Sequence, residues 1–230
     1  MGTYSPYPFF AHYVNVKTQN EYWIKKCDER RLLEAQVTDV FVSQFLSFTA
    51  ERLFKQAYQA RAFVMMRHPA KRAVEQFYYL QHATWEKNFD AVVAAMSLED
   101  FASSEKFIEN FEVRMLNGIT DTSMEITEVE LNLAKAVLRR KFIIGIFEWF
   151  DVSIVRFEKY FGWWEQMDVL KNQTINNCHY TIIEGSDQAN SNPKVVHTEK
   201  VYTTIMNRNW ADIELYHYAK TLFAEQAILL

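Results

Sequence analysis

Two five-residue apolar runs interrupt an otherwise helical pattern. Ala62–Met66 (AFVMM) and Phe142–Ile146 (FIIGI) carry no polar side chain. Such runs suit strands buried on both faces of a parallel sheet. The β-branched run Val37–Val42 (VTDVFV) is a third strand candidate. Elsewhere apolar residues recur at helical spacing. Helices are predicted over 21–36, 49–60, 70–81, 86–96, 98–117 and 129–140, from the end of FIIGI through Tyr160, and from about Asn209 to Ile228. Leu131, Ala134 and Leu138 mark one buried stripe. Pro69 suits the first turn of a helix, Ser97–Asp100 and Thr127–Glu130 read as capping boxes, and Asn117-Gly118 reads as a helix stop.

Strands alternating with helices predict an α/β fold: a small parallel sheet flanked by many helices, with helix dominant. Residues 1–20 are rich in Tyr and Pro and read as an N-terminal arm, followed by a single domain over 21–230. Residues 171–197 read as a long Asn-rich loop, with a short strand at His179–Ile183.

Composition narrows the chemistry. The five glycines stand at 2, 118, 145, 162 and 185, too far apart for GxGxxG or GxxxxGK. The 29 acidic and 25 basic residues leave a formal charge of −4, which argues against a nucleic-acid binder. Cys27 and Cys178 are the only cysteines; they make no CxxC motif and leave their pairing open. The six histidines make no HxxxH or HExxH spacing, so no metal site is expected. No apolar run is long enough for a membrane span and residues 1–18 show no basic-then-apolar signal-peptide pattern, so the chain reads as soluble.

The chemistry concentrates at Arg67-His68-Pro69-Ala70-Lys71-Arg72. A strand ending at Met66 delivers Arg67 to the carboxyl end of the sheet, where open α/β sheets bind ligands. The free N–H groups of the next helix and the guanidinium forks then favour an anion. The competing reading is that Arg67 and Arg72 pair with nearby carboxylates and only secure the turn. For Arg114 the alternatives are a nucleotide contact or an ion pair with Glu109 or Glu112. Lys194 and Lys200 stand in polar sequence ahead of the last helix, within reach of a ligand or simply solvated.

The run AFVMMRHPAKRAVEQFYYLQ resembles the 3′-phosphate-binding segment of PAPS-dependent sulfotransferases, in particular the carbohydrate 2-O-sulfotransferase-like branch. Arg67, Pro69, Arg72, Phe77, Tyr78 and Tyr79 stand in register with that pattern. Asn110–Gly118 is similar to the family's Arg-x-Leu-x-Gly segment, 133–163 to its helix, Gly-bearing strand, Glu and helix ending in Phe-Gly-Trp, and Asn209–Tyr216 to its closing helix. The likeness runs in order over residues 37–228. It implies a P-loop-like sulfotransferase fold, incomplete at the N-terminus, and transfer of a sulfonate group from PAPS to a hydroxyl of a carbohydrate. Arg67, Arg72 and Arg114 would bind PAPS or 3′-phosphoadenosine 5′-phosphate. Relatives sit in the Golgi behind an N-terminal anchor, which applies here if sequence upstream is missing.

Three departures open the alternative of an inactive or truncated sulfotransferase-like protein that binds or scaffolds. The 5′-phosphosulfate loop is reduced to Lys17-Thr18, which is a remnant or a coincidence. Glu75 replaces the serine of the phosphate motif. Gln44 stands near the place of a basic histidine and has no basic lone pair.

Overall fold

The computed structural model describes residues 18, 20–36, 40–55, 59–85, 89–163, 177, 181 and 199–229. Most of the arm and nearly all of the 171–197 loop, including Cys178, Lys194 and the strand expected at His179–Ile183 apart from Thr181, lie outside these residues.

The two apolar runs are strands with the expected bounds. β1 (Ala62–Met66) and β2 (Phe142–Ile146) pair in parallel, with Ala62 opposite Phe142 and Met66 opposite Ile146. Among the described residues the sheet has these two strands alone. Val40–Val42, the described part of the third candidate, is not a strand; Val42 points to solvent. Its β-branched composition is not matched by a partner that would bury it.

Ten helices are described around the sheet: α1 (Glu21–Glu29), α2 (Leu46–Leu53), α3 (Pro69–His82), α4 (Ala91–Ala95), α5 (Leu98–Ser103), α6 (Phe111–Asn117), α7 (Glu128–Lys141), α8 (Phe150–Phe161), α9 (Glu199–Arg208) and α10 (Trp210–Glu225). Local chemistry sets several boundaries. Thr127 and Glu130 form a full capping box at the start of α7, and left-handed Gly118 and Gly162 end α6 and α8. Four predicted helices prove shorter, those over 49–60 and 86–96 giving only Leu46–Leu53 and Ala91–Ala95. The helix expected over 21–36 stops at Glu29, with Arg31 at a φ of +53° just beyond it. The helix expected over 98–117 breaks into α5 and α6: extended Ser104 ends the first, and Asn110 precedes the second at a φ of +51°. α9 occupies residues for which no element was predicted.

Three apolar clusters form. The largest packs α6, α7 and α10 on the sheet around Ile144, Leu138, Leu215 and Leu222. A second joins α3, α4, α5 and α9 around Phe77, Phe101 and Ile205, and a third joins α1 to α2. The main chain of β2 that faces away from β1 bonds to side chains. Gln226 accepts from the Ile144 N–H at 2.9 Å and donates to the Phe142 carbonyl at 2.8 Å. The Ser153 hydroxyl accepts from the Ile146 N–H at 2.9 Å. Among the described residues no helix is long and apolar enough to cross a membrane.

Candidate functional site

β1 delivers Arg67 to the carboxyl end of the sheet, as the sequence predicts, and α3 starts two residues later with Pro69 in its first turn. What surrounds the turn decides its chemistry. The Arg67 guanidinium bonds to Glu75, two turns along α3, and lies 4.3 Å from the Phe147 ring centroid. Burial pushes the Glu75 carboxyl up, while the adjacent Arg67 works against that shift.

At the helix mouth two main-chain donors are engaged from within the chain, where the sequence led to an expectation of free N–H groups. The His68 ring accepts from the Ala70 N–H through Nδ1 at 3.3 Å. The His68 N–H donates to Glu148 Oε1 at 3.2 Å. Glu148 follows β2 directly, so the parallel pairing that aligns the two strand ends also sets this carboxylate against the start of α3. Its other oxygen accepts from the Tyr216 hydroxyl at 2.9 Å, and Lys71 stands 3.6 Å from Oε1. Burial alone would raise Glu148, but the Tyr216 hydroxyl and the N–H donors bring it below the ordinary carboxylate range. Tyr216 is raised by burial and then by this bond. The His68 ring packs edge-on against Tyr216 at 5.4 Å, and burial lowers its pKa despite Glu148 nearby.

Arg72 turns inward. It stands 3.5 Å from Asp212 Oδ2, 3.6 Å from Glu112 Oε1, and 4.8 Å from the Phe111 ring centroid. Asp212 is fully buried and caps α6, accepting from the Val113 N–H at 2.9 Å and the Glu112 N–H at 3.0 Å. Burial raises both carboxyls, Glu112 to about 8, with Asp212 as its next-largest cause and Arg72 opposing. Asn110 Oδ1 in turn accepts from the Ala211 and Asp212 N–H groups at 3.0 and 3.3 Å, so two helix starts are locked face to face.

The structure therefore brings Arg67 and Arg72 to the same turn but engages both with carboxylates of the chain itself. Arg114 is elsewhere. Its guanidinium donates to the carbonyls of Glu109, Asp121 and Met124 at 2.9, 2.9 and 2.7 Å, and it is buried beneath the loop after α6. Neither alternative posed for it from the sequence matches that role. Lys200 makes an exposed ion pair with Glu99 at 2.6 Å, and Gln44 is exposed ahead of α2. Cys27 is a buried free thiol. Among the described residues no cluster of His, Cys, Asp or Glu is arranged to hold a metal ion.

Sequence reasoning missed Glu148 as a member of the site. Its position directly after an apolar strand parallel to β1 was the available signal, since strand ends of a parallel pair share one edge. No protein-family model, curated protein or solved structure matches this chain.

Proposed function

We propose that this chain is a sulfotransferase-like module whose nucleotide-anion turn is held shut by its own carboxylates, and that it serves as a binding or scaffold protein rather than a transferase. The observation that carries this reading is that the chain's own carboxylates occupy three groups at the turn: Glu75 takes Arg67, Glu112 and Asp212 flank Arg72, and Glu148 accepts from the His68 N–H. A 3′-phosphate entering this turn has to displace Glu75 from Arg67 and then sit beside it. Two like charges about 5 Å apart repel by about 3 kcal/mol at an effective dielectric near 20, roughly a hundredfold in affinity.

The second reading is an active enzyme that transfers a sulfonate group from PAPS to a hydroxyl of a carbohydrate. It is supported by the strand-to-helix placement of Arg67, with Glu75 as a latch that the nucleotide opens.

Calorimetric titration with 3′-phosphoadenosine 5′-phosphate separates the two. The first reading expects no heat from the wild type at millimolar nucleotide, binding in Glu75→Ser, and loss of that binding when Arg67→Ala is added. Wild-type binding that Arg67→Ala abolishes overturns it in favour of the enzyme. Absence of binding in both the wild type and Glu75→Ser removes the nucleotide from either account.

A further inference from the structure

Two buried carboxylates share one guanidinium where α3, α6 and α10 meet. Arg72 of α3 lies 3.5 Å from Asp212 of α10 and 3.6 Å from Glu112 of α6. The two acids are not equivalent. Asp212 receives two main-chain N–H bonds, one on each oxygen. Glu112 Oε2 is buried without a hydrogen-bond partner, and so is Arg72 Nε. Glu148, from the segment ahead of α8, adds further negative charge towards Glu112, while Arg114 of α6 acts on Asp212. Helices α2 and α7 also pack on α6, and among the described residues they set no charged group against Glu112.

With both acids ionised, two buried anions face one cation, and one carboxylate oxygen has no donor. A buried charge in that condition is strongly disfavoured, and a proton removes it. Asp212, with its two N–H donors, is the better site for the negative charge. We propose that Glu112 and Asp212 hold one proton between them, carried by Glu112, and that this proton is a pH-sensitive clasp on the α3–α6–α10 junction. Its loss sets two anions side by side at the start of α6 and loosens the cap that Asp212 provides. The clasp does not depend on any nucleotide reading of the turn.

Linkage fixes the sign. In the unfolded chain Glu112 ionises in the ordinary glutamate range, about 4.3. In the folded chain it keeps its proton up to about 8. The folded state binds the extra proton across that window, so the unfolding constant rises about tenfold per pH unit from this group alone, then levels off.

The test is urea unfolding of the full chain from about pH 5.5 to about pH 8.5, comparing the wild type with Glu112→Gln, whose amide is neutral throughout. Glu75 and His68 titrate in both proteins and cancel in the comparison. The expected result is a ratio of unfolding constants that moves about tenfold per pH unit against the wild type as pH rises. A ratio independent of pH overturns the proposal. Carboxyl carbon NMR of the wild type gives a reading that does not need the variant to fold. Glu112 still protonated above pH 7, with amide exchange at Glu112 and Val113 accelerating as it ionises, supports the clasp; titration in the ordinary carboxylate range overturns it.

Discussion

Asn110 and Asn209 are joined across the start of α6 and α10: the Asn110 N–H donates to Asn209 Oδ1 at 3.0 Å, and both residues are buried. The Asn110 side chain then accepts from the Ala211 and Asp212 N–H groups. Asn110 does this from a left-handed backbone, which asparagine tolerates better than most residues.

Replacing Asn110 by alanine removes a buried acceptor from two N–H groups and imposes the left-handed strain on a side chain that resists it. The expected loss is about 2–4 kcal/mol. Asn110→Gly keeps the backbone relaxed and loses only the acceptor, so it recovers about 1 kcal/mol of that deficit. Urea unfolding of the two variants checks the order; equal losses would remove the backbone from the account.

Gly145 is the one small residue in β2, and its place is set by contact. A Cβ built there meets Phe157 Cζ at 2.5 Å and Met65 Sδ at 3.1 Å. Phe157 is almost fully buried and has no room to withdraw. Gly145→Ala therefore costs about 1–3 kcal/mol through overpacking. Adding Phe157→Leu should return part of the loss, seen as a non-additive double-mutant cycle in thermal unfolding.

His68 titrates below the ordinary imidazole range, because burial disfavours the cation while Glu148 only partly offsets it. Its neutral ring is also the form that accepts from the Ala70 N–H. The stability it contributes is full above the unfolded value of about 6.5 and is lost as pH falls through the lower folded value. Proton NMR of the ring should place its midpoint below 6.5, and Glu148→Gln should lower it further. A midpoint that rises in that variant would show that Glu148 does not favour the charged ring.

The parts of the fold that were legible in the sequence are those with local causes. AFVMM and FIIGI are strands because an uninterrupted apolar run has one comfortable environment, and α7 starts where Thr127 and Glu130 can cap each other. The break at Asn110 was not legible, because its left-handed backbone is held by Asn209, ninety-nine positions away. The site divides the same way. Arg67 at a strand end follows from pattern, and Glu75 was visible nearby as an odd residue in a phosphate motif. The carboxylates of Glu148 and Asp212 reach the turn from 80 and 140 positions away, and only the parallel pairing and the α6–α10 contact bring them there.

The bonds that Gln226 and Ser153 make to β2 bear on how the molecule behaves in company. A short, wholly apolar strand at the margin of a sheet is a template on which a second chain can add its own strand. Here the amide of Gln226 imitates a neighbouring strand, donating and accepting as a peptide group would, and Ser153 engages the remaining amide. Gln226, at the start of the Gln226–Leu229 turn, thus occupies main-chain groups that an added strand would need, so removing its amide opens that margin of the sheet to a second chain.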